Sequence, residues 1–357
     1  MEAINQQFPW LELMDRPGFC VKDGVVIATN VAAQNRGLRL GTEITHIVTE
    51  HRSTYESFDN GQLYLTIQVG DSLCSACVTR TAECDIFIFE DTAADDQLQA
   101  LALAAQQLRI PLSNVMLLAG RLLNDPANKD SQTQHQINQM NQNLFQLLRI
   151  ISNMSDAGTY RETRSSGVAC VDLVSVFDEI MEKAQSVSER TGRTICYSGL
   201  NVSVFSLANA EKLERAVYNL LSNAINFSPV GSTIEAKLTK TGNCLSFTLC
   251  NPSGEPEKCR DFWKCYRREP AIEDGRYGLG LGITLVNAVA ASHGGTVLMD
   301  HPEVGQTRVT MTLPIVNEPG TTVRSRIIQI GDYAGGWDKA LLELSQLLPA
   351  DSYENIN

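Results

Sequence analysis

Two series of helix-period apolar residues, separated by a turn-rich break, constrain this chain more than any other feature. Leu98, Leu101, Ala105, Leu108, Leu112, Val115, Ala119 and Leu122 recur three and four apart, a spacing that holds one apolar seam along a helix. Ile137, Met140, Leu144, Leu147, Ile151 and Met154 repeat it. Between them lies N-D-P-A-N-K-D at 124–130, where Pro126 cannot continue a helix. The pattern predicts an antiparallel helical hairpin over 93–160. Two helices alone leave half of such a seam wet, so the simplest solution is a four-helix bundle built by two chains. A homodimer is therefore expected.

The rest of the 357 residues is too long for one ordinary core, and the 43% apolar content suffices for two or three. A net charge of −12 argues against nucleic-acid or acidic-membrane partners, which favour basic patches. No run of 18 apolar residues offers a membrane segment, and M-E-A-I-N-Q-Q-F-P-W has neither the basic start nor the apolar core of a signal peptide. A cytoplasmic location is expected, with the ten cysteines mostly reduced. Cys74, Cys77 and Cys84 form C-x-x-C-x6-C. That spacing admits either a metal site or buried strand cysteines. No fourth ligand is near, and the odd Cys74–Cys77 spacing points the two to opposite faces of a strand.

Residues 1–92 read as a sheet-based unit. G-F-C-V-K-D-G-V-V-I-A-T-N at 18–30 predicts a hairpin turning at Asp23-Gly24, and 31–41 predicts short helices and loops. Three strand-like runs follow near 62–69, 72–79 and 84–90, with turns at Asn60-Gly61 and Gly70-Asp71. This order, with V-x-D-G-x5-N-x-A-A from Val21 to Ala33, resembles a PAS sensor domain. The alternative is an α+β domain that only spaces or dimerises the protein.

Within the first helix, Gln106-Gln107-Leu108-Arg109-Ile110-Pro111-Leu112 resembles the phosphoacceptor segment H-E-L-R-T-P-L of two-component sensor histidine kinases. The resemblance implies that Gln106 stands at the phosphoacceptor histidine, Gln107 at the adjacent acid and Ile110 at the hydroxyl that serves dephosphorylation. A glutamine amide has no nucleophilic lone pair to replace imidazole. With Ala105 and Leu108 in the seam, Gln106 is expected to face outward. His135, the hairpin's one histidine, stands roughly 20 Å away along the bundle at 1.5 Å per residue. It does not substitute.

From 161 to 317 the chain resembles the catalytic ATP-binding domain of the same kinases, an α/β sandwich of the Hsp90-like ATPase group. K-L-E-R-A-V-Y-N-L-L-S-N-A-I-N-F-S-P at 212–229 is helically spaced and sets Asn219 and Asn223 on one face. The resemblance implies that the pair holds Mg²⁺ on the phosphates of ATP, and hard amide oxygens suit that ion. Asn226 stands where a lysine is frequent. Y-G-L-G-L-G from Tyr277 into a helix offers Gly278, Leu279 and Gly280 as phosphate-facing backbone. L-C-N-P-S-G-E-P at 249–256 stands where the family has D-x-G-x-G, so Asn251 replaces the adenine-reading aspartate and Gly254 is retained. F-W-K-C-Y-R-R-E at 262–269 resembles the aromatic box before a short lid. Binding of ATP-Mg and a retained but empty fold both fit these residues.

A C-terminal extension, 318–357, reads as a strand at 323–330 and then an apolar helical face of Trp337, Ala340, Leu341, Leu344, Leu347 and Leu348. It either packs on its own nucleotide domain or docks a partner. The expected fold class is multidomain α+β: PAS-like sensor, dimeric helical hairpin and kinase-type α/β sandwich. The expected function is a degenerate sensor histidine kinase that binds ATP-Mg and signals through dimer conformation, with an intact histidine kinase or a response regulator as partner. One alternative is an active protein-histidine kinase phosphorylating a partner in trans. Another is an ATP-driven clamp without phosphotransfer.

Overall fold

The computed structural model describes residues 8–14, 16–89, 105, 108, 112–116, 118–119, 122, 131–159, 168–252, 281–316 and 338–353. The N-terminal unit comprises β1 (Gly18–Lys22), β2 (Val25–Thr29), α1 (Val31–Asn35), α2 (Arg52–Ser57), β3 (Gln62–Val69), β4 (Ser72–Arg80) and β5 (Asp85–Phe89). Asp23 and Gly24 take φ of 51° and 76°, the left-handed pair that a two-residue turn between twisted strands requires. Asn30, the asparagine of the V-x-D-G-x5-N string, is a buried hub. Its Oδ1 accepts from the backbone N–H groups of Gly18 and Ala33, and its Nδ2 donates to the carbonyls of Leu11 and Arg16. Arg80 grips Asp85 through two 2.9 Å bonds and stacks 4.3 Å from the Phe58 ring, fixing α2 on the sheet.

Hairpin helix α3 (Ser131–Thr159) precedes the nucleotide half. That half comprises β6 (Ala169–Asp172), α4 (Leu173–Ser188), β7 (Thr194–Ser198), β8 (Phe205–Ala208), α5 (Ala210–Phe227), β9 (Thr233–Thr241), β10 (Cys244–Pro252), α6 (Leu281–Ser292), β11 (Thr296–Asp300) and β12 (Gln306–Pro314). A short C-terminal helix, α7 (Lys339–Glu343), and a 3-10 turn at Ala350–Tyr353 follow.

Among the described residues, the strands of the N-terminal unit and those of the nucleotide half other than β6 and β8, which pair with each other, form one sheet of ten, in the order β2-β1-β5-β4-β3-β11-β12-β10-β9-β7. The join is antiparallel, with Tyr64 opposite Val297, Leu63 opposite Leu298 and Gln62 opposite Met299. Sequence reading set the sensor apart from the nucleotide domain, with the hairpin between them. In the structure the two pair strand to strand, and long-range pairing of this kind leaves no local signal in sequence. Side chains cross the join in both directions: Tyr64 and Cys77 enter the core of the nucleotide half, while Leu298 packs on the core of the N-terminal unit.

Cys74 and Cys77 face opposite sides of β4, as their odd spacing demands, and fall in different cores. Cys84 lies in a third cluster, hydrogen-bonded to the thiol of Cys20, and burial pushes the Cys20 thiol up. Among the described residues no group of three His, Cys, Asp or Glu is placed to hold a metal. No described helix is long and apolar enough to cross a membrane.

The described residues between 105 and 122 are helical, but the expected single seam divides between two faces. Ala105, Met116 and Ala119 are buried, whereas Leu108, Val115, Leu118 and Leu122 are about half exposed, as is Leu147 on α3. Met116 and Ala119, with Leu144, Phe145 and Leu148 of α3, join the core of the nucleotide half. Leu108, three residues from Ala105, is half exposed on the adjacent face rather than buried beside it.

The apolar face of the extension is covered by its own chain. Ala340, Leu344 and Leu348 are buried in that same core, with Leu341 and Leu347 partly buried against it. Trp337 and the run at 323–330 lie outside the described residues.

Candidate functional site

Helix α5 begins where Asn209 accepts a 2.9 Å bond from the Lys212 amide, a cap that satisfies one of the free N–H groups of the first turn. Its end is set by Ser228-Pro229, since a residue before proline is driven to extended backbone, and Ser228 sits at φ −83°, ψ 139°. Between these points Ala216, Val217, Leu220, Leu221 and Ala224 are buried in the core of the nucleotide half. That packing fixes the rotation of the helix, and with it the direction of two asparagines.

Asn219 and Asn223 lie one turn apart on the same face, the first buried and the second exposed. The Asn219 Nδ2 donates to the Arg215 carbonyl at 2.9 Å. This commits one of the two amide hydrogens to the helix itself and orients the amide so that Oδ1 faces the first turn of α6. A methyl built on Gly282 there would stand 3.3 Å from Asn219 Oδ1, 3.7 Å from Asn223 Nδ2 and 4.0 Å from Asn223 Oδ1. Gly282 therefore keeps open the space in which both amides meet the N-terminal, positive end of α6. The arrangement offers hard oxygen to a divalent cation and a favourable field to an anion. Gly282 is the third glycine of G-L-G-L-G. Sequence reading singled out the first two and missed it.

Asn251 closes β10. Leu245, Phe247, Leu249 and Asn251 alternate onto the buried face of the strand, so the period of two that buries the apolar residues also buries this amide. Its Nδ2 donates to the Pro252 carbonyl at 3.3 Å. Asn226 is half-buried near the end of α5. Gly254, Gly278, Leu279, Gly280 and the run at 262–269 lie outside the described residues, as do Gln106, Gln107 and Ile110.

The five histidines are all described, and none lies in the first hairpin helix. His293 is held neutral: Nε2 accepts from the Asn209 amide at 3.0 Å, Nδ1 faces the Val289 carbonyl at 2.8 Å, and burial pushes its pKa down. It ties the end of α6 to the start of α5. His135 is exposed, 3.1 Å from Gln139 and 3.8 Å from Asp351. A further residue that the sequence did not flag is Arg149 of α3, which donates a 2.9 Å bond to Ser222, the neighbour of Asn223.

Residues 208–317 match the family described as "Histidine kinase-, DNA gyrase B-, and HSP90-like ATPase". Among curated proteins the chain is similar to the "Probable sensor protein PcoS" of Escherichia coli, with 29% identity over 199 residues, covering 54% of this chain and 41% of that one. The chain spans about two-fifths of the length of such relatives. Among solved structures it is similar to full-length ShkA in complex with AMPPNP (18% identity, TM-score 0.47, 64% of this chain and 47% of that one). It is also similar to histidine kinase ThkA in complex with response regulator protein TrrA (16% identity, TM-score 0.41, 85% and 96%).

Proposed function

Starting from a chain that belongs to the two-component histidine kinase family, we propose a degenerate sensor kinase that binds ATP-Mg and signals through the conformation of a dimer. The observation that carries the nucleotide reading is the orientation of Asn219 Oδ1 toward the open space at Gly282, with Asn223 beside it. In this reading Asn219 and Asn223 hold Mg²⁺, which neutralises phosphate charge. The backbone of the glycine string before α6 faces the phosphates, and Asn251 accepts the adenine amino group through its carbonyl, more weakly than a carboxylate. Asn226 supplies no charge where a lysine would.

The sensor assignment draws support from the strand order 2-1-5-4-3 and from the Asn30 hub. Homodimerisation draws support from the exposed stripe of Leu108, Val115, Leu118, Leu122 and Leu147, an apolar surface that a second hairpin would cover. The kinase defect is read at Gln106, Gln107 and Ile110. His135 and His293 are occupied in other ways and do not restore a phosphoacceptor. The chain then acts as a conformational partner of an intact histidine kinase or a response regulator.

Titration of the purified protein with a fluorescent ATP analogue and Mg²⁺ tests the binding step: a saturable signal lost on Asn223→Ala is expected, and no saturable signal would overturn it. Restoring Gln106→His with Gln107→Glu tests the defect. Acid-labile label from ATP is expected only in the restored protein; label on the unaltered chain would sink the degenerate reading.

A further inference from the structure

The C-terminal segment 338–353 bridges the hairpin and the asparagine helix, and it does so through groups that are buried but poorly matched. On the hairpin side, Gln142 and Gln146 of α3 donate to the carbonyls of Leu348 and Ser345 at 2.6 and 3.2 Å. Arg149 donates to Gln346 Oε1 at 3.0 Å, and Phe145 packs on Tyr353 with ring centroids 5.0 Å apart. On the nucleotide side, Lys339 pairs with Glu214 of α5 at 2.5 Å, and Arg190, beyond the end of α4, donates to the Ser352 carbonyl.

At the centre stands Glu343. Its side chain is 0% exposed and lies between Arg149 of α3 at 3.5 Å and Arg215 of α5 at 3.8 Å. One carboxylate thus faces two guanidinium groups across the strap. Neither carboxylate oxygen accepts a hydrogen bond among the described residues. Burying charges costs several kcal/mol per ion and is recovered only with close, fully hydrogen-bonded geometry. These contacts fix a geometry without stabilising it strongly, which is the property of a latch.

We propose that 338–353 is an intramolecular strap that holds hairpin helix α3 against the nucleotide domain, and that its release frees the hairpin to move. The pinned state couples α3 to α5 through several side chains, among them Arg215, which donates to Asn153 at 3.4 Å. Glu343 joins Arg149 to Arg215, and Arg149 also reaches Ser222, between Asn219 and Asn223. This device needs neither phosphotransfer nor nucleotide, so it stands apart from the function proposed above.

Hydrogen exchange of the full-length protein tests it. Glu343→Gln removes the carboxylate between two buried arginines, while Gln142→Ala with Gln146→Ala removes the two glutamine bonds from the hairpin side and leaves the charges alone. Both variants are expected to speed exchange of amides 138–152 by about tenfold or more while β9, β10 and β12 stay protected. Small-angle scattering is expected to show a larger radius of gyration. Unchanged exchange over 138–152 in the glutamine variant would overturn the strap, and so would uniform loss of protection across the molecule in both variants.

Discussion

Gly61 lies against Met299 so closely that a methyl group on Gly61 would collide with the Met299 carbonyl oxygen. The two residues belong to different halves of the chain and meet at the strand join. Gly37 provides an internal control, since its φ of 94° matches the 91° of Gly61 but nothing lies within 4 Å of its would-be Cβ. Both alanine variants pay the strain of left-handed backbone, of order 1–3 kcal/mol. Gly61→Ala pays a further ~1–3 kcal/mol for overlap. Chemical denaturation of the two variants measures the difference, and equal losses would show that the join carries no weight.

At Gly282 the expected effects on stability and binding have opposite signs. Alanine is the better helix former by about 0.8–1 kcal/mol in a helix interior, so Gly282→Ala should not lower the melting temperature. Its methyl would crowd Asn219 Oδ1 at 3.3 Å. The expected result is roughly tenfold weaker nucleotide binding, or about 1.4 kcal/mol, read by titration beside a melting curve.

The exposed stripe on the first hairpin helix predicts the assembly state. Leu118→Glu places a charge on a half-exposed apolar site. In a single chain such a surface change costs within about 0.5 kcal/mol. In a dimer it buries an unpaired carboxylate. Light scattering should show the unaltered chain as a dimer and Leu118→Glu as a monomer with a similar melting temperature.

Acid should destabilise the fold through two histidines. Burial pushes the pKa of His293 down, and that of His51 too, although Glu50 partly opposes it there. A histidine with a depressed folded-state pKa binds its proton more readily when unfolded. Stability is then fully present above the unfolded value of about 6.5 and is lost as pH falls toward the folded value. Each histidine contributes a slope of at most about 1.4 kcal/mol per pH unit. Denaturation from pH 7.5 to 5 should show the loss, and His293→Gln should reduce its slope; an unchanged slope would remove His293 from the account.

Much of this was legible in the sequence because the signals are local. The Asp23-Gly24 turn, the strands of the N-terminal unit and the asparagine helix follow from backbone preferences and apolar period within a few residues of each site. Asn219 and Asn223 were legible for the same reason, being one helical turn apart. Gly282 was less so, because its role depends on which helix its missing side chain faces. The β3–β11 join and the Arg149–Glu343–Arg215 cluster were not legible at all. Their partners stand far apart in the chain, and a buried arginine reads in sequence like any solvated one. The division of the first hairpin helix between two faces arose similarly, since an apolar stripe does not say which of two surfaces will cover it.

The shared sheet also limits how this protein can be taken apart. Removing the N-terminal unit would bare the β11 edge, with its unpaired N–H and C=O groups beside Leu298, and such an edge readily recruits a strand from another molecule. A nucleotide half excised at the usual linker would thus begin its separate existence as an adhesive surface. Exchange of the N-terminal unit, simple where domains are tethered end to end, here requires the incoming unit to supply a matching third strand and a glycine at its start.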